Sequence, residues 1–111
     1  FFDVVVDGGD LVFGGVKIPL YDEEKARLAS YDGKTIILGV RPENIVKGSN
    51  LELVVNHCEN LGQTTLVHGA LAGHRTTAKF REWSGYEKGA KVGVSFTKKH
   101  FFDKETTNAI R

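Results

Sequence analysis

The 111-residue sequence predicts an all-β domain with one short helix. Three observations lead there. Apolar residues recur at the two-residue period of half-buried strands. The 13 glycines fall between these runs, where turns are needed. Only one stretch carries the charge pattern of a helix. Short strands at a spacing of roughly 8–15 residues, divided by glycine turns, build a small antiparallel barrel or sandwich.

Val4-Val5-Val6, Asp7-Gly8-Gly9-Asp10 and Leu11-Val12-Phe13 read as a hairpin, because Asp-Gly and Gly-Gly supply the positive φ of tight hairpin turns. Gly14-Gly15 gives a second turn before the strand Val16 to Leu20. Asp22 is placed to cap a short surface helix over Glu23 to Ala29, with Glu23 and Arg27 as an i,i+4 pair, and Asp32-Gly33 ends it. Thr35-Ile36-Ile37-Leu38-Gly39-Val40 is apolar at alternate and intervening positions, so it is expected to be a central strand buried on both faces. Arg41-Pro42 stops it, since proline has no donor for a ladder.

Further on, Leu51, Leu53 and Val55 alternate with Glu52, Val54 and Asn56. Asn60-Leu61-Gly62 forms a turn before Thr65-Leu66-Val67. From 74 to 81, Arg75, Thr77, Lys79 and Arg81 take one face and His74, Thr76, Ala78 and Phe80 the other. Val92, Val94 and Phe96 complete the pattern.

Composition bounds the partners. Lys and Arg number 15 against 14 Asp and Glu, a net charge of +1 that gives little long-range attraction to nucleic acid or anionic lipid. Hydrophobic and charged fractions of 41% and 26% are those of a folded chain, and the length fits one domain over residues 1–111. One cysteine, Cys58, cannot build a disulfide framework and fits a reducing compartment. No run approaches the ~18 apolar residues of a membrane span, and no signal peptide is visible. The chain opens at Phe1 in strand-like sequence and contains no methionine, as expected of a fragment of a longer polypeptide.

The residues that could carry chemistry are few. Gly9 and Gly14 have the glycine spacing of a phosphate-binding loop, but Gly15-Val16 stands where Lys and Ser/Thr are needed. His57 and Cys58 are neighbours and point to opposite faces of a strand; His68, His74 and His100 have no metal-ligand spacing, so scattered surface histidines are expected. Cys58 reads as a small buried strand residue. Glu23 and Glu24 read as exposed partners of the helix dipole. Arg75, Lys79 and Arg81, with Lys98-Lys99-His100, form a basic set, but Thr77 rather than an aromatic interleaves it, and Phe80 and Phe96 belong to the inward faces. A solvated strand face is expected there, not a nucleic-acid groove.

Four blocks, taken in order, resemble the C-terminal TOBE (transport-associated OB) regulatory domain of ATP-binding-cassette importer ATPases of the maltose and multiple-sugar class. Leu38-Gly39-Val40-Arg41-Pro42-Glu43-Asn44-Ile45 is similar to the family's L-G-[IV]-R-P-E-[HD]-I. Glu59-Asn60-Leu61-Gly62-Gln63-Thr64-Thr65-Leu66-Val67-His68 resembles E-x-L-G-x-E-T-x-V-H. The segment from His100 to Ile110 is similar to H-x-F-D-x-x-T-G-x-x-I, and Phe1-Phe2-Asp3-Val4 resembles the entry from the ATPase domain. Asn44, Thr64 and the pair Thr107-Asn108 depart from the pattern; Asn108 is expected to take the left-handed backbone of the missing glycine.

The resemblance implies an OB-like β-barrel of TOBE type. It implies a non-catalytic regulatory and dimerisation role, with Arg41, Pro42, Glu43, Glu59, Gly62, Thr65, His68, Phe102 and Asp103 as structural or interface residues. Arg41 and Glu43 are expected to pair with each other or with strand carbonyls at an architectural corner. No cofactor or metal is implied for this chain, ATP and Mg²⁺ belonging to an ATPase domain upstream. The implied partners are a second copy, that ATPase domain, the membrane subunits and, in some relatives, a sugar-phosphotransferase component, at the cytoplasmic face of the plasma membrane; no nucleic acid is implied. Two alternatives are a module binding an oxyanion or sugar through Ser49, Thr64 or Thr65, and a single-strand nucleic-acid barrel.

Overall fold

The structure, a computed structural model, describes residues 1–81 and 85–111. Among these it has strands β1 (Phe2–Asp7), β2 (Asp10–Phe13), β3 (Val16–Pro19), β4 (Thr35–Gly39), β5 (Ile45–Asn60), β6 (Thr65–Leu71), β7 (His74–Phe80), β8 (Lys91–Phe96) and β9 (His100–Phe102), and one helix, α1 (Asp22–Arg27). All strand pairings are antiparallel. The chain is therefore all-β with one short helix, as the sequence predicts. It forms two compact units, residues 1–39 with 99–111, and residues 40–98.

The first unit holds a five-stranded sheet in the order β3-β2-β1-β4-β9. Phe2, Val4 and Val6 of β1 are buried and the residues between them exposed, the alternation of a strand with one covered face. The β1–β2 turn lies at Gly8-Gly9, with Gly8 at φ 61°. Pro19 is tolerated because β3 is an edge strand, where a missing N–H leaves no neighbour unpaired. In β4, Ile36 and Leu38 are 0% exposed, whereas Ile37 is half-buried and Thr35 exposed. The expectation of burial on both faces is thus corrected: β4 is paired along both edges, to β1 and β9, but fully sealed on one face only.

Helix α1 also differs in two respects. Tyr21, not Asp22, is its N-cap, and the Tyr21 backbone N–H donates to Glu24 Oε1 at 2.9 Å. Glu24 is buried rather than exposed, as its carboxylate meets the Lys99 ammonium. The Glu23–Arg27 pair forms as expected, at 2.9 Å.

The second unit holds a four-stranded sheet in the order β7-β6-β5-β8. Its 16-residue strand β5 starts at Ile45, well before the expected strand at Leu51. The strand takes up Gly48-Ser49-Asn50 as an irregularity: both Lys47 and Leu51 align with Val94 of β8. A second irregularity lies between Val55 and His57. In β7, Thr76, Ala78 and Phe80 are buried, while Arg75 and Lys79 are exposed, matching the predicted faces; His74, at the strand start, is exposed.

Candidate functional site

The Glu59-to-His68 block is the β5–β6 hairpin. Asn60 Oδ1 accepts the Gly62 N–H at 3.1 Å, and the Leu61 N–H donates to the Thr64 carbonyl at 2.8 Å. Gly62 has a φ of 93°, a region that disfavours any side chain. Thr65 is fully buried at 0% exposure, so it is a packing residue and is closed to a ligand. Counting back from the turn, Asn60 pairs with Thr65, Glu59 with Leu66, Cys58 with Val67 and His57 with His68.

The bulge before His57 decides what faces out. Leu51, Leu53 and Val55 are buried, and continued alternation would turn His57 and Glu59 inward with them. The extra residue at Asn56 shifts the phase, so His57 and Glu59 are exposed and Cys58 is half-buried. The Cys58 thiol lies 3.7 Å from the Tyr86 carbonyl.

On that outer face, three strands present one row. His57 on β5 lies opposite His68 on β6, which lies opposite Thr77 on β7. The two imidazoles stack with centroids 4.5 Å apart and planes inclined by 20°. His68 Nδ1 is 3.0 Å from Thr77 Oγ1, and its Nε2 is 3.1 Å from Glu59 Oε1. The expectation of scattered histidines is corrected for this pair: sequence distance hides a cross-strand contact. The row lines a groove shared with Arg75 and Lys88.

The Arg41-Pro42-Glu43 corner is built from backbone. Pro42 opens a short 3₁₀ turn, the Asn44 N–H donates to the Arg41 carbonyl at 2.9 Å, and the Thr97 N–H donates to the Asn44 carbonyl at 2.9 Å. All three corner side chains are exposed, and among the described residues no ion pair joins Arg41 to Glu43, the first of the two pairings expected. Glu43 instead borders a depression with Gln63, Thr64, Lys79 and Arg81. Ser49 is exposed and lies outside that depression.

In the first unit, the Phe102 ring meets Phe1 edge-on at 5.8 Å, and both rings crowd Gly39, where an added Cβ would lie 3.0 Å from Phe1 and 3.1 Å from Phe102. This close approach accounts for the glycine of the Leu-Gly-Val-Arg-Pro block. Asp103 organises the turn after β9. Its Oδ1 accepts the N–H groups of Glu105 and Thr106 at 2.9 and 3.0 Å, and its Oδ2 accepts the Tyr31 hydroxyl at 2.9 Å. The Thr106 N–H and then the Tyr31 hydroxyl hold the Asp103 carboxyl below its usual pKa of 3.8, and the same bond to Asp103 raises the Tyr31 hydroxyl above 10.0. The left-handed residue of this turn is Thr107, at φ 61°, not Asn108.

Of the basic set, Arg75, Lys79, Arg81 and Lys98 are exposed, but Lys99 is buried in its ion pair; Phe80 and Phe96 are buried as expected.

Comparison with known proteins agrees with this architecture. Residues 1–45 match the MalK OB fold domain model, and residues 38–102 match the TOBE domain model. The chain is 34% identical to the trehalose/maltose import ATP-binding protein MalK of Thermococcus litoralis, over 99% of this chain and 34% of that protein. It is 33% identical to the multiple sugar-binding transport ATP-binding protein MsmK of Streptococcus mutans, over 100% of this chain and 33% of that protein. It is 32% identical to the sulfoquinovosyl glycerol transport ATP-binding protein SmoE of Agrobacterium fabrum, over 95% of this chain and 31% of that protein. The chain thus spans about a third of the length of the relatives it matches. With the two family models covering both the first hairpins and the Glu59–His68 hairpin, the chain belongs to the TOBE domain family.

Proposed function

We propose that this chain is the regulatory and dimerisation domain of the ATP-binding subunit of a carbohydrate ABC importer. The observation that carries the reading is whole-chain similarity to about a third of several sugar-transport ATP-binding proteins. The structure supports a non-catalytic role for this part. Gly8-Gly9 and Gly14-Gly15 sit in hairpin turns between strands, so no helix N-terminus follows them to receive a phosphate. In this reading ATP and Mg²⁺ are bound by an ATPase domain in the same subunit, which docks on membrane subunits at the cytoplasmic face. Among the described residues, no helix is long and apolar enough to cross a membrane.

The exposed Arg41 and Glu43 side chains, held on a backbone-braced corner, are offered to a partner surface: a second copy or the ATPase domain. Analytical ultracentrifugation of the chain across a concentration series tests the dimer. Reversible association that weakens in Arg41→Ala and Glu43→Ala supports the reading, and a monomer at every concentration counts against it. Purified chain is expected to show no Mg²⁺-dependent ATP hydrolysis, and measurable turnover would overturn the assignment of catalysis elsewhere.

A further inference from the structure

We propose that His57, His68 and Glu59 form a site for a divalent transition metal, of which Zn²⁺ is the best fit. The ligand atoms of these three side chains all lie within 4.8 Å of one another. Two imidazoles and one carboxylate are a donor set suited to zinc, and three protein ligands leave a fourth tetrahedral position for water. A tetrahedral ion with bonds near 2.0–2.1 Å holds its donors about 3.3 Å apart. His57 and Glu59 are exposed, so rotation of their side chains, which takes the His57 ring out of its stack on His68, closes the remaining gap.

The backbone sets up this convergence. His57 and Glu59 are two residues apart on β5, and His68 lies directly opposite His57 on β6, giving three anchor points on one face. The bulge at Asn56 is what puts the two β5 ligands on that face. With the proton on Nδ1, Thr77 supplies the orienting contact that metal-bound histidines use: its hydroxyl, 3.0 Å away, accepts from His68 Nδ1–H, and the Nε2 lone pair is left directed at the Glu59 carboxylate. In that tautomer two acceptors face each other at 3.1 Å, and a cation between them removes the repulsion. A plain His68–Glu59 hydrogen bond with the other tautomer is the competing account; in it His57 only stacks on the His68 ring and ligates nothing.

Zn²⁺ titrated calorimetrically into the 111-residue chain, in a non-coordinating buffer, distinguishes the two. One equivalent is expected to bind. His57→Gln and Glu59→Gln, both at exposed positions and checked for an unchanged circular dichroism spectrum, are each expected to weaken binding at least tenfold. Thr77→Val is expected to weaken it about 10–100-fold, the usual effect of losing an orienting partner. In the unmutated chain, zinc is expected to shift the imidazole resonances of His57 and His68 and leave those of His74 and His100 in place. Absence of binding, affinity unchanged in His57→Gln, or shifts at His74 or His100 instead would each overturn the proposal.

Discussion

The Lys99 ammonium lies 3.3 Å from both carboxylate oxygens of Glu24, and the two side chains are only 3% and 7% exposed. The ammonium also sits 4.9 Å from the centre of the Tyr21 ring. The partners are 75 residues apart, so this contact ties the helix to the strand that ends the first unit's sheet. Removing one member of a buried pair strands the other charge, at a cost of about 3–5 kcal/mol. Lys99→Met is therefore expected to lower unfolding free energy by that order in urea denaturation. Glu24→Gln combined with Lys99→Met is expected to be less destabilising than Lys99→Met alone, because an amide replaces the stranded carboxylate and still accepts the Tyr21 N–H. A double variant as unstable as the sum of its parts would argue against a desolvated pair.

Asp103 and Tyr31 couple stability to pH at opposite ends of the scale. The folded Asp103 carboxyl titrates below its unfolded value of 3.8, so its contribution is present above that value and is lost as pH falls through the lower folded value. The folded Tyr31 hydroxyl titrates above 10.0, so its contribution is present below that value and is lost as pH rises through the higher folded value. Melting curves of Asp103→Asn are expected to show a smaller loss of stability in acid than the parent chain. Those of Tyr31→Phe are expected to show a smaller loss in strong alkali. Parallel pH profiles for variant and parent would contradict the assignment.

Thr107 occupies the left-handed region, where a β-branched residue is strained. Thr107→Gly is expected to stabilise the chain by about 1 kcal/mol, seen as a rise of a few degrees in melting temperature. Asn108→Gly, at a position without positive φ, is expected to give no such gain. Equal effects at the two positions would refute the placement of the turn.

Gly69 pairs with Val55 beside the bulge, and a Cβ there would strike the Val54 carbonyl oxygen. Backbone cannot yield as a flexible side chain can, so Gly69→Ala is expected to cost roughly 1–3 kcal/mol. Since the same bulge turns His57 outward, this variant is also expected to weaken Zn²⁺ binding without removing any ligand. Wild-type stability in Gly69→Ala would show that the close approach is not maintained in solution.

Sequence alone determined most of the strands, though not β9 or the first six residues of β5, together with the glycine turns, the Glu59–His68 hairpin and the exposed face of β7. All of these rest on local rules, the two-residue alternation of side chains and the backbone freedom of glycine. The register that sets His57 against His68 and His68 against Thr77 was not among them; it comes from the pairing of β5 with β6 and of β6 with β7. Tertiary structure alone decided whether those residues face out, because a bulge is set by the partner strand and inverts every face beyond it. It likewise decided that Glu24 and Lys99, which read as solvated charges in their own segments, are buried against each other. Alternation along one strand is written in that strand; register, bulges and the pairing of distant charges exist only once a second strand lies beside it.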